Sequence, residues 1–429
     1  MNRHVLWSAI EAVCGGGLSL LGSFAIARVI GPAELGIGAA AVSVHVLLWV
    51  AVNGLLADAL VQRTTVDGAA LAGALAVARG IALGACGVQA AAGWFLAWWL
   101  GDARLEAMGL LLALPFPLVG RGGVAQGMLT RGRAYRHLAE RTILGQGLGT
   151  LVGVAMALSG WGAWALAAQQ AVASGAGALI LILRAGPMPR PRWHWPSVRP
   201  LLAAGLPLGA STIVQIGRYR LFAVLIGMTA GPAALGQVHI AFRLVDTVRE
   251  LLFTAQWRLM LPTLAEHQHD RAALLAAVDR LLARSSLVAI PLCAAMALAL
   301  PWGVPLLMGR VWAEAGVAAE PLVALTALMA LMFPSGVALV AAGQARFTLY
   351  ANIAGLLATA AGVLLIRPDD PWPAVLVWCG AQIFVTPYAL WVNARALGVG
   401  PGRPLRAGLR MLGLGLAGVM AIAWAAHPG

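Results

Sequence analysis

Arginine is the residue type in this chain that could do chemistry where charge is not expected. Seven arginines, Arg28, Arg79, Arg121, Arg218, Arg220, Arg243 and Arg249, fall within or at the edge of long apolar segments. An arginine at the centre of a membrane helix costs on the order of 3 kcal/mol on insertion scales, so it normally faces a cavity or a partner. Arg28 and Arg79 lie near segment ends, where a long side chain can snorkel to the interface. Arg218 and Arg220 are two apart on one helix and point in nearly opposite directions, so at most one faces a central cavity. Arg243, Asp246, Arg249 and Glu250 recur at helical spacing and put much of the set on one face. That face reads either as an internally neutralised polar stripe or as a cationic wall, partly balanced by carboxylates, that holds an anionic head group. The chemistry in the second case is anion binding, because a guanidinium fork matches phosphate oxygens. Arg121, Arg218, Arg220, Arg243 and Arg249 are the candidates for it.

The remaining ionisable groups offer less. Glu11 and Asp58 lie near one end of the first two apolar segments, with Arg63 and Arg79 close in depth. They form an inner-mouth gate or proton site, or else a plain salt-bridge cluster; Asp246 and Glu250 join them as candidates for gating and coupling. His267-Gln268-His269-Asp270 looks like a metal motif but reads better as a solvated loop, and Asp369-Asp370 between two prolines reads as an external turn. The cysteines Cys14, Cys86, Cys293 and Cys379 have neither disulfide nor zinc spacing and read as small buried hydrophobes. No catalytic residue, metal or cofactor is expected from these patterns.

The elements that position these residues are membrane spans. Of the 429 residues 61% are apolar and 10% charged, and the mean hydropathy is +0.84. A soluble domain does not have this composition. The net charge of +13 therefore points to membrane lipids or an anionic substrate and not to nucleic acid. Every basic residue is Arg, which codon bias explains better than selection for phosphate. Spans are expected near 7–29, 36–60, 78–99, 107–127, 140–159, 161–183, 201–228, 234–257, 285–308, 320–342, 347–366, 372–395 and 407–426, most of them about 20 residues long. The polar stretch 184–199 separates the first six from the rest. An N-terminus in the cytoplasm puts 19 of the 29 arginines in inside segments and three (Arg104, Arg310 and Arg367) outside, as the positive-inside rule requires. Trp98, Trp99, Trp161, Trp302, Trp312 and Trp372 sit at span ends like an aromatic belt. Residues 270–284 alternate apolar and charged positions at helical spacing, which predicts an amphipathic helix on the cytoplasmic face.

A repeat supports two halves. Gly31-Pro32-Ala33-Glu34-Leu35-Gly36 returns as Gly231-Pro232-Ala233-Ala234-Leu235-Gly236, each copy just after the first apolar segment of its half. Paired helical bundles are the architecture of alternating-access transport. The expected fold is all-α and polytopic, with about twelve core helices in two pseudo-symmetric six-helix lobes. The divisions are 1–184 (N-terminal lobe), 185–199 (basic linker), 200–396 (C-terminal lobe) and 397–429 (basic loop and extra helix).

Taken together these residues resemble the bacterial polysaccharide and O-antigen flippases, in the superfamily that also holds multidrug exporters and lipid II flippases. The resemblance covers about residues 1–396. It rests on Ala27 to Gly36, Ala59-Leu60-Val61-Gln62-Arg63, Leu129 to Arg136, Gly160 to Leu166, Gly231 to Gly236, Ala241 to Asp246 and Gly309-Arg310-Val311-Trp312. It implies two lobes forming a V around a central cavity, and movement of undecaprenyl-diphosphate-linked oligosaccharide to the outer leaflet of the bacterial inner membrane. It also implies a polysaccharide polymerase and glycosyltransferases as partners. Two departures stand out: Phe222 occupies a position that is often acidic in such proteins, and 407–426 makes a thirteenth span where twelve or fourteen are usual. A cation antiporter of the same fold and a membrane-embedded glycosyltransferase or ligase are the alternatives. The first wants an acidic aromatic cavity and the second a catalytic acid or base, with Asp102, Glu106 and Asp369 as weak candidates.

Overall fold

The computed structural model describes residues 3–63, 65–266, 270–341 and 346–396. The stretch 397–429, including the expected helix at 407–426, lies outside the described residues, as do His267 to His269 and the side chain of Asp58. The described chain is helical: α1 (Arg3–Gln62), α2 (Gly68–Leu100), α3 (Arg104–Ala113), α4 (Phe116–Arg131), α5 (Tyr135–Leu158), α6 (Trp164–Ala185), α7 (Trp195–Thr229), α8 (Gly231–Glu266), α9 (Arg271–Met308), α10 (Ala313–Ala341), α11 (Arg346–Ile366) and α12 (Pro371–Ala396). Seven segments among the described residues are long and apolar enough to cross a membrane. The protein is a multi-pass membrane protein.

Two of these elements depart from one helix per span. α1 is two helices joined at Gly31, whose φ of 79° and ψ of 173° break the helix just before Pro32. Only glycine reaches that conformation without strain. The expected span at 107–127 is instead the pair α3 and α4, interrupted at Leu114-Pro115, where proline cannot donate to the turn before it. Helix ends are capped by the chain itself. Asp67 accepts from the Ala70 N–H at 2.7 Å ahead of α2, and Asp270 accepts from Ala272 and Ala273 ahead of α9.

The chain divides into two compact units, Met1–Gly236 and Gln237–Gly429. In the first, α1 packs on α4, α5 and α7, and α5 packs on α6. One core is built from Leu56, Leu60, Ala74, Val124, Val198 and Leu201, and so ties α7 to α1, α2 and α4. The turn starting at Gly231 (φ 85°) also belongs to this unit. Gly36 lies against the Pro232 carbonyl and Gly236 against the Pro32 carbonyl, each so close that a Cβ would collide with backbone. The two copies of the repeated turn therefore touch each other reciprocally.

In the second unit α9 packs on α10, and α12 on α10 and α11. Phe242 meets Trp378 edge to face at 5.2 Å. The buried Gln237 donates to the Val311 carbonyl at 2.7 Å and accepts from the Ala315 N–H at 3.0 Å. The amphipathic stretch 270–284 is not a separate surface helix. It forms the first turns of the continuous α9, and Leu274, Ala277 and Val278 pack on Met260, Leu264 and Val337. Its charged residues Asp279, Arg280 and Arg284 are exposed. Periodicity reports only that one face is covered; here the cover is protein. Cys86 and Cys379 sit within the apolar packing, each giving its thiol to a backbone carbonyl, of Ala113 and Pro321.

Candidate functional site

The arginines read from the sequence fall on three helices. Arg121 is exposed on α4, while Arg218 and Arg220 are half-buried on α7. The Arg220 guanidinium lies over the Tyr219 ring, 5.2 Å from its centre, a cation–π contact that lowers the cost of desolvating the charge. On α8, Arg243, Asp246 and Arg249 are half-buried and Glu250 is exposed. Arg249 pairs with Asp246 at 2.8 Å, one turn away. The α8 stripe thus neutralises itself in part, as its spacing suggested.

Glu11 has a different setting from the expected one. Its carboxylate accepts from the Thr142 hydroxyl at 2.8 Å and stands 3.9 Å from the Arg141 guanidinium. Arg141 donates through Nη1 to the Gln126 amide oxygen at 2.8 Å and through Nε and Nη2 to Thr142 Oγ1 at 3.3 and 3.2 Å. The Gln126 oxygen also accepts from Asn53 Nδ2 at 3.1 Å. A polar chain, Glu11–Thr142–Arg141–Gln126–Asn53, therefore joins both halves of α1 to α4 and α5. Arg63 and Arg79 do not enter it: Arg79 is exposed, and the Arg63 carbonyl accepts from Arg131, which closes the end of α1 as a basic side chain can at a helix C-terminus.

A second cluster sits at the first copy of the repeated turn. Arg104 forks onto Asp102 at 2.7–3.2 Å and onto Glu34 with two bonds of 2.9 Å. Glu34 also accepts from the Ala163 N–H at 2.7 Å, ahead of α6. The Arg104 guanidinium beside Asp102, which lies between α2 and α3, holds that carboxyl below the usual carboxylate range against the opposing effect of burial. The second copy has Ala234 in place of Glu34, so this clamp belongs to one turn only.

Sequence reasoning did not single out Arg141, Gln126 or Asn53. A neutral amide inside an apolar segment carries no charge signal, and its partner is 73 residues away. Glu34 was the more legible of the missed residues, being the one charged position in a repeat whose other copy is apolar.

Comparison with known proteins gives consistent results. The family described as "Polysaccharide biosynthesis protein" matches residues 25–317. The succinoglycan biosynthesis transport protein ExoT of Rhizobium meliloti (strain 1021) is 26% identical over 276 residues, 63% of this chain and 55% of that protein. The chain thus matches about half the length of that relative. Among solved structures, the lipid II flippase MurJ in an inward closed conformation superposes with a TM-score of 0.79 at 12% identity, over 98% of this chain and 93% of that one. An inward-facing multidrug resistance MATE family transporter gives 0.55 at 15% identity, over 92% and 98%. At these identities the structures speak to the fold alone.

Proposed function

The chain belongs to the polysaccharide biosynthesis protein family, and from that premise we propose that it is a flippase for polyprenyl-diphosphate-linked oligosaccharide. It works by alternating access in the bacterial inner membrane, with its N-terminus in the cytoplasm, and serves surface polysaccharide biosynthesis. The observation that carries this reading is the placement of Arg218, Arg220 and Arg243 at half-buried positions on α7 and α8. Guanidinium groups kept at such a cost suit an anionic cargo. A diphosphate offers them several oxygens, and a few forked contacts hold it without preventing release.

Arg121, Arg218, Arg220, Arg243 and Arg249 are assigned to the diphosphate and glycan path, and Glu11, Asp58, Asp246 and Glu250 to gating. The N-terminal lobe is residues 1–184, the linker 185–199, the C-terminal lobe 200–396 and the extension 397–429. The reading gives the chain no covalent chemistry and places it beside a polymerase and glycosyltransferases that make and extend its cargo. A cation antiporter of the same fold would need deep carboxylates. Here the deep charges are mainly arginine, and Phe222 is fully buried.

The test is translocation itself. Protein reconstituted in liposomes should move a fluorescent polyprenyl-diphosphate oligosaccharide between leaflets, and a deletion strain should lose its surface polysaccharide. Transport of an organic cation in place of the glycolipid would overturn the assignment.

A further inference from the structure

We propose that Arg141, held between Gln126 and Thr142 in the N-terminal unit, is a diphosphate-binding residue of the carrier, with Glu11 as the carboxylate that stands in for the cargo when the site is empty. The inference rests on the flippase reading and names a residue outside the arginine set drawn from the sequence.

Two guanidinium groups in the N-terminal unit are held in different ways. Arg104 is paired directly with charge: two carboxylates, Asp102 and Glu34, accept from all three of its nitrogens at 2.7–3.2 Å. Arg141 is not. Its Nη1 gives one bond to a neutral amide oxygen, and its Nε and Nη2 share one hydroxyl oxygen at 3.3 and 3.2 Å. One N–H on each terminal nitrogen is left without a hydrogen-bond partner among the described residues. Among the described residues its charge is balanced by Glu11 at 3.9 Å, beyond hydrogen-bond distance. An arginine placed to lock a bundle together would draw its carboxylate into a forked pair, as Arg104 does.

The neighbours are arranged to keep that fork available. Gln126 and Thr142 fix the plane of the guanidinium with neutral oxygens, which orient it without discharging it. Asn53 donates to the same Gln126 oxygen and so holds that amide in place. Thr142 donates its hydroxyl hydrogen bond to Glu11, which gives the carboxylate a partner that does not depend on the arginine. Glu11 can therefore stay hydrogen-bonded while Arg141 turns to another anion. Both side chains keep some exposure, 19% for Arg141 and 26% for Glu11, which leaves a way in. The chemistry that fits is a diphosphate, whose oxygens can take the two free N–H groups side by side.

Full-length protein in nanodiscs, titrated with farnesyl diphosphate and separately with inorganic pyrophosphate, tests the assignment. Arg141→Gln keeps a planar amide near the position of Nε but removes the charge and the terminal fork. It should weaken farnesyl diphosphate binding by about tenfold or more, with Arg141→Lys in between. Glu11→Gln removes the competing charge and should tighten binding by about fivefold. Loss for both ligands assigns the site to the diphosphate itself, and loss for the prenyl ligand alone assigns it to the lipid-borne group; either supports the proposal. Affinity unchanged in Arg141→Gln, or weakened in Glu11→Gln as much as in Arg141→Gln, overturns it. Should Arg141→Gln fail to fold, Glu11→Gln decides alone: tighter binding supports the site, and unchanged or weaker binding overturns it. Wild-type protein that binds no prenyl diphosphate overturns the flippase reading itself, whereas binding that survives Arg141→Gln overturns only the role of Arg141.

Discussion

Gly36 rests on the main-chain carbonyl of Pro232, and the contact is returned two hundred residues on, where Gly236 rests on the carbonyl of Pro32. A repeat that is weak as a string of letters becomes a physical object: two turns of like sequence, each opened by a glycine at positive φ, each presenting a proline carbonyl to the glycine that closes the other. The close approach explains why glycine recurs at the sixth position of both copies. Neither turn brings a side chain capable of binding cargo to the contact, so its role is to join α1 to the start of α8.

Gly36→Ala and Gly236→Ala should each destabilise the protein by about 1–3 kcal/mol, because the added methyl must displace backbone and not a flexible side chain. The alanines gain up to about 1 kcal/mol in helix propensity, which does not offset that displacement. Thermal unfolding in detergent is the measurement. Since the two contacts share one interface, the double variant should cost measurably less or more than the sum. Wild-type melting in both single variants would show that the turns do not pack this way.

The continuity of α9 gives a second test. Leu274 is buried against Met260 and Val337, so Leu274→Ala should cost about 2–5 kcal/mol. Ala276 on the same helix is exposed, and Ala276→Gln should change stability by no more than about 0.5 kcal/mol. A helix lying free on the membrane surface would show little difference between the two.

The helical class, the chain's membrane character and the place of most helices follow from apolar runs that hydropathy reads directly. The break at Gly31-Pro32 is legible too, because proline and glycine act locally, whereas the one at Pro115 is hidden inside the apolar run 107–127 that reads as a single span. What the sequence does not display is partnership. Residues 270–284 show an amphipathic face, but periodicity cannot tell lipid from α8 and α10 as the surface that covers it. Glu11 shows as a charge in an apolar segment, but nothing near it in the chain points to Thr142, 131 positions away. The α8 stripe is the exception that makes the rule clear: Asp246 and Arg249 are one turn apart, so their pairing could be read from spacing alone.

Removing charge at Arg220 or Arg243, by Arg→Gln, should cut glycolipid export in a deletion strain by about tenfold or more while membrane insertion and protein level stay normal. Quantified surface polysaccharide and immunoblotted membrane fractions are the two readouts. Full polysaccharide from both variants would remove these arginines from the cargo path.

The Arg104 clamp predicts a pH dependence of defined sign. Asp102 titrates below its ordinary value of 3.8 because Arg104 hydrogen-bonds its charged form. A carboxyl whose folded pKa is depressed contributes stability that is present above its unfolded pKa and is lost as pH falls through the folded one. At neutral pH, Arg104→Gln should therefore lower stability, but by only about 1 kcal/mol, since the arginine side chain is 40% exposed and solvent screens the pair. As the pH is brought from 5 to below about 3.8 the wild-type protein should lose this advantage and the two melting temperatures should converge. A gap that widens on acidification would mean that Asp102 is protonated more readily in the folded protein, and that the clamp is not what holds α3 to the turn at Glu34.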